Sequence, residues 1–346
     1  MSDLQTNLVL LGAVLIVGIF VLTRIQEYRY RRMANQLLPE NSQDALMGEI
    51  KDGLPHEPGL GSDPNSGSDP SERAPVNKDV EFGVTFNATE GVSAEVLWKT
   101  LNASALATRN IRWVGYDSTL DRWLPIYGPA VKRFNRLGAT LQLSSRAGPV
   151  TAVQLTRFVD EMNSVAHQLG LTCEAGNTTV ALVSADTLER FCARVDVLIG
   201  INVVFEEGAA QTAHAIRLAT EVEGLILADD GMFHARDAQG QDRFTLSNRD
   251  GRPFIDIEND ATSVSGITLL LDVPAVVDGA GTLGDMFELA GRLAATLGGS
   301  RVDDNGVVLG ARQMELIAKQ LTELGSDMES YGIPAGSPLA LRLFSH

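Results

Sequence analysis

Val197-Leu198-Ile199-Gly200-Ile201-Asn202-Val203-Val204-Phe205 is the stretch from which the fold of this chain is read. It is apolar, rich in β-branched residues and of strand length, and helical spacing follows from Ala209 to Glu223. Strand signals then return. Met232 to Arg236 and Arg243 to Leu246 flank Asp237-Ala238-Gln239-Gly240, a hairpin sequence, and Ile267 to Val273 is a further strand stopped by Pro274. A helix is expected from about Leu283 to Leu297, ended by Gly298-Gly299, then a short strand near Arg301 and a helix from Ala311 to about Met328. The pattern is α+β, with helices covering one face of a mostly antiparallel sheet and nothing evident to cover the other.

Working outward, the same order is found earlier in the chain. Thr140-Leu141-Gln142-Leu143 matches Thr268-Leu269-Leu270-Leu271, an offset of 268 − 140 = 128. The stripe Leu155, Val159, Met162, Val165, Ala166, Leu169 falls at that offset on Leu283, Phe287, Ala290, Leu293, Ala294, Leu297. Val84-Thr85-Phe86 lies against Val203-Val204-Phe205 at 203 − 84 = 119. Two tandem units follow, a first and degenerate one at 80–195 and a second at 196–330, with 331–346 as a C-terminal tail.

At the other end a charge-free run from Leu4 to Thr23 is followed by Arg24, Arg29, Arg31 and Arg32. About 20 residues at a rise of about 1.5 Å each span a hydrocarbon core of roughly 30 Å. The run reads as a transmembrane helix behind a short non-cytoplasmic tail, residues 1–3, and the basic segment 24–37 places the bulk of the chain in the cytoplasm. A cleaved signal peptide is the competing reading. There is no basic region before the run and no small-x-small site after it. The sequons at Asn87, Asn102 and Asn177 are then chance matches.

Charge sorts the remainder. Residues 38–79 carry 3 − 9 = −6 with few apolar side chains, which makes them a disordered acidic tether that stands off an anionic membrane. Residues 80–195 sum to 11 − 10 = +1 and residues 196–346 to 10 − 23 = −13. Two copies so different in charge are not expected to bind the same surface. No nucleic acid is expected of so acidic a chain. Lys132, Arg133 and Arg136 form the basic cluster of the folded part, a solvated loop or a contact for an acidic peptide. His167, His214 and His234 are scattered without metal spacing, and Glu206-Glu207, Asp229-Asp230 and Asp303-Asp304 read as solvated turns. No catalytic constellation, cofactor, metal or small-molecule substrate is expected. Cys173 and Cys192 are too few for a disulfide framework.

Ile199-Gly200-Ile201-Asn202-Val203, Phe233-His234, Phe244-Thr245-Leu246-Ser247-Asn248, Val273-Pro274, Leu297-Gly298-Gly299 and Val302-Asp303-Asp304 together resemble the C-terminal domain of the ZipA family. These are bacterial division proteins that tether the tubulin-like FtsZ to the membrane. The layout of short tail, anchor, basic flank, tether and globular C-terminus is also similar to that of the family. The resemblance implies a single-pass protein of the inner membrane at the division site. A shallow groove on the exposed sheet face would take the FtsZ C-terminal tail peptide, largely as a helix. By position the groove would use Ile201, Val203, Asp230, Ser247, Arg249 and Leu270. Asp230 and Arg249 stand where the family pattern has methionines; the family also has one such domain and a longer tether. The matching positions of the first unit, Phe82, Val84, Ile111, Ile126 and Gln142, are more apolar. They are either an alternative groove or a face buried against the second unit. Two other functions compete with the adaptor: a membrane-tethered enzyme and an envelope ligand-binding protein.

Overall fold

Phe82, Val84 and Phe86 alternate with Glu81, Gly83 and Thr85, and this period of two builds the first strand, β1 (Glu81–Ser93). The computed structural model describes residues 76–103, 111–128, 132–206, 210–254 and 263–345. The expected anchor at 4–23, Arg24, Arg29, Arg31 and Arg32, and the tether to residue 75 lie outside the described residues. Among the described residues no helix is long and apolar enough to cross a membrane.

After β1 come helix α1 (Ala94–Ala103), strands β2 (Ile111–Asp117), β3 (Arg122–Pro125) and β4 (Arg133–Gln142), and a small hairpin, β5 (Ser144–Ser145) with β6 (Gly148–Pro149). Helix α2 (Ala152–Leu169), strand β7 (Thr172–Ala175) and helix α3 (Thr178–Val195) complete the first unit. Its sheet runs β3-β2-β4-β1-β7, antiparallel throughout. Thr151 and Gln154 start α2 with a capping box, and Gly170, at φ 65°, ends it in the left-handed region. Asn177, one of the sequons, caps α3 by accepting from the amides of Thr179 and Val180.

The second unit has strand β8 (Leu198–Phe205), the short β9 (Gln211–Thr212), helix α4 (Ala213–Val222), and strands β10 (Ile226–Leu227), β11 (Phe233–Arg236) and β12 (Asp242–Asn248). The short β13 (Ser263–Val264), strand β14 (Gly266–Asp272), helix α5 (Gly279–Leu297), strand β15 (Gly299–Val302) and helix α6 (Ala311–Ser330) come next. The sheet order is β10-β11-β12-β14-β8-β15. Helix α5 begins four residues before the expected Leu283, because the Asp278 carboxylate accepts from Gly281 N at 2.8 Å and caps a glycine-rich first turn.

The two sheets share the register that the sequence offsets imply. Val84 pairs with Ala139 and Val203 with Ile267, so 203 − 84 = 119 and 267 − 139 = 128 hold across the central strands. The hairpins do not correspond. In the first unit the earlier hairpin strand, β2, pairs with β4; in the second the later one, β12, pairs with β14. Carrying positions from one hairpin to the other, as Ile111 and Ile126 require, therefore has no structural counterpart.

Residues 331–345 are not a detached tail. Helix α7 (Pro338–Leu343) follows, and Ile333, Ala340, Leu343 and Phe344, with Met328 of α6, are buried in the core of the first unit. Tyr331 stacks on Phe191 of α3 at 3.9 Å between ring centroids. The C-terminus of the second unit thus completes the first.

Candidate binding face

Period-two alternation decides which side chains of the second sheet enter the core and which face away from it. Ile201, Val203 and Phe205 of β8, Phe244 and Leu246 of β12, and Ile267, Leu269 and Leu271 of β14 all enter the core beneath α4, α5 and α6. The intervening residues, Gly200, Asn202, Val204, Thr245, Ser247, Thr268 and Leu270, belong to neither hydrophobic core. They form the second face of the sheet. Ile201 and Val203, expected in the groove, are 0% exposed on the helix side and cannot line it. The register error is one residue, and in a strand one residue changes the face.

Of the other expected positions, Ser247 and Leu270 lie on this second face, half-buried. Arg249 stands at its margin, with its Cδ 3.2 Å from where a Cβ on Gly266 would lie. Asp230 is exposed at the opposite margin. There it accepts from Met232 N at 3.0 Å and faces His234 Nε2 at 3.1 Å.

Backbone pairing sets one row across the sheet: Ile226, His234, Thr245, Leu270 and Gly200 are successive partners from β10 to β8. At the far end Asp304 lies in the turn after β15, and its Oδ1 is 3.7 Å from the position a Cβ on Gly200 would take. A second row runs Ser247, Thr268, Asn202, Val302. In it the Thr268 hydroxyl donates to Asn202 Oδ1 at 2.6 Å, and Asn202 Nδ2 donates to Asp304 Oδ1 at 2.8 Å. Asn202 is buried, and both ends of its amide are used. The face is thus a shallow mixed surface: Ile226, Leu270 and Val204 supply apolar area, and a fixed polar relay crosses its centre.

His234 is hydrogen-bonded on both ring nitrogens, to Asp242 Oδ2 at 2.8 Å through Nδ1 and to Asp230 through Nε2. Burial works to raise the Asp242 carboxyl, but Arg236 and His234 outweigh it and hold it below the usual value. Among the described residues no group of His, Cys, Asp or Glu is arranged to hold a metal ion. Asp303 caps its own turn, accepting from Asn305 N and Val307 N at 2.8 Å each.

Among the described residues of the first unit, the expected positions do not come together as an exposed groove. Phe82 and Val84 are core residues on the helix side, Ile126 is in the same core, and Ile111 packs against it. Gln142 does lie on the other face. That face carries Glu81, which accepts from Arg112 Nη2 at 2.7 Å and pairs with Arg342 of α7 at 2.8 Å, and Gln142 is buried beside it, donating to Ser144 O at 2.7 Å. The basic cluster is largely occupied: Lys132 pairs with Asp117, and Arg136 lies over the Tyr116 ring at 5.5 Å from its centroid. Arg133 is exposed at the start of β4.

Gly200, Asn202, Thr268 and Asp304 lie on or beside this face and were not among the positions expected there. The signal was Asn202, a polar residue within an apolar run: its face had to be the one away from the core.

Residues 197–320 match the family described as ZipA, C-terminal FtsZ-binding domain, a little over a third of the chain. The matched region is the second unit, whose motifs carry the resemblance, and the family is a protein-binding one with a place in cell division. No curated protein matches the chain.

Proposed function

We propose that this chain is a membrane-anchored adaptor that binds the C-terminal tail of FtsZ through the second face of its second sheet and tethers the division ring to the cytoplasmic membrane. One observation carries the reading: the region that matches the FtsZ-binding family has a sheet whose second face lies outside both hydrophobic cores and carries the apolar side chains Val204, Leu270 and Ile226. A helical peptide laid on such a face buries its apolar side chains against Leu270, Val204 and Ile226. The run from Leu4 to Thr23 and the arginines after it supply the anchor, and the acidic tether holds the binding unit off the membrane surface. The first unit acts as a scaffold. Its second face carries a buried ion-pair network that includes α7, and its core is completed by the segment after the binding unit.

Two measurements test this. Full-length chain reconstituted in lipid nanodiscs is expected to retain FtsZ on a column, and FtsZ lacking its C-terminal tail is expected to wash through. A phosphatase active only outside the cytoplasm, fused after His346, is expected to be silent. Equal retention of both FtsZ forms would overturn the tail-binding reading, and an active phosphatase would overturn the cytoplasmic adaptor.

A further inference from the structure

Gly200 leaves a notch in the row Ile226, His234, Thr245, Leu270, Gly200, because it is the residue of that row with no side chain. The walls of the notch differ. On one side is Leu270, its backbone partner on β14; on the other is Asp304, whose carboxylate oxygen is 3.7 Å from the missing Cβ and which is the nearest group to it. The carboxylate is held there. Thr268 orients Asn202, and Asn202 donates to Asp304 Oδ1, so one oxygen is fixed while the residue as a whole stays exposed. A carboxylate accepts about four hydrogen bonds, so this one retains capacity toward a partner.

An apolar wall facing a fixed anion across a gap of one side chain suits a particular ligand chemistry. Lysine and arginine have apolar stems and cationic heads, and they bury the stem while the head seeks an anion. The wider field agrees, since residues 196–346 carry 23 acidic and 10 basic side chains. A cationic segment is drawn to this face and an anionic one repelled.

We propose that the Gly200 notch is a specificity subsite for a basic side chain of the bound tail peptide, with its methylene stem on Leu270 and its charged head on the Asp304 carboxylate. The inference rests on the tail-binding reading and adds to it the residue class that the peptide presents at this point. Specificity on this sheet then comes from one placed charge beside an apolar contact.

The test uses full-length chain in nanodiscs and a fluorescent FtsZ tail peptide, followed by anisotropy, together with a second peptide whose lysines and arginines are replaced by glutamine. No binding of the unmodified peptide to the unmodified chain would defeat the tail-binding reading itself. Given binding, Asp304→Asn is expected to weaken the unmodified peptide about tenfold and to leave the glutamine peptide unchanged. Gly200→Ala is expected to weaken the unmodified peptide as well while the thermal midpoint holds, since a Cβ there meets nothing closer than 3.7 Å. Asp304→Asn weakening both peptides equally would overturn the proposal, because Asp304 would then act through the fold. Unchanged affinity in both variants, or a tail with no basic side chain, would overturn it as well.

Discussion

Arg146 Nη2 lies 2.6 Å from Asp272 Oδ1 across 126 residues of sequence. The same guanidinium holds Asp196 Oδ1 at 2.7 Å, so the β5–β6 turn, the end of α3 and the end of β14 meet at one buried cation. Burial opposes its charge, but Asp272 and Asp196 outweigh burial and raise its pKa. The first unit is thereby clamped to the last residue of the strand that carries Leu270.

Arg146→Met is predicted to destabilise the chain by about 3 kcal/mol, because it leaves two half-buried carboxylates facing each other without this cation. Denaturant unfolding, followed by intrinsic fluorescence and by circular dichroism, is expected to be one coincident transition in the unmodified chain and to separate into two in the variant. A single transition of unchanged midpoint would mean that the clamp contributes nothing.

The two faces of the second sheet give opposite outcomes for the same substitution. Val203→Asp places a carboxylate in the core, where burial without a partner costs several kcal/mol (roughly 2–7), and the second unit is predicted to unfold. Leu270→Asp places it on the half-buried second face. There the fold is expected to survive, with tail binding weakened at least about a hundredfold. Circular dichroism and anisotropy on both variants check the pair; a folded Val203→Asp protein would show that the core assignment is wrong.

The fold class, the sheet-plus-helix order of both units and the register of their central strands were legible because hydrophobic periodicity carries them. Two features were not. The hairpin reversal turns on which strand of each hairpin reaches the sheet, β2 against β4 and β12 against β14, and that choice is made by tertiary pairing rather than by hydrophobic period. The face of Ile201 and Val203 was misassigned because a positional resemblance with a slip of one residue inverts every side chain. Phe344 and Leu343 lie after the last long helix, and nothing local marks them as core of a unit that ended about 150 residues earlier.

Glu81 sets an acid limit on the first unit. Burial works to raise its carboxyl, but hydrogen bonds and charge from Arg112, and from Arg342 of α7, hold it below its ordinary value of 4.5. A carboxyl depressed in the folded state stabilises fully above that ordinary value and loses its contribution as pH falls through the lower folded one. Glu81→Gln is therefore predicted to lower stability by about 3 kcal/mol at pH 7 and by progressively less below pH ~4. Urea midpoints of both proteins across that range should converge at the acid end; parallel curves would refute the assignment.

Cys192 reports on whether α7 is seated. The thiol lies in the same core as Ile333, Leu343 and Phe344, and burial, helped by Glu189 and Asp196, pushes its pKa up to about 12. At pH 8 only roughly one part in ten thousand is then thiolate, so alkylation must wait for the core to open. Phe344→Ala removes a buried aromatic from the C-terminal segment at a cost of about 3 kcal/mol. If α7 closes this core, the variant is expected to let iodoacetamide reach Cys192 in the folded protein about a hundredfold faster, read by mass spectrometry of the modified peptide. The partly exposed Cys173 on β7 serves as the internal control, with its rate expected to change little. Equal acceleration at both cysteines would indicate global unfolding, and no acceleration at Cys192 would mean that the C-terminal segment does not guard the first core.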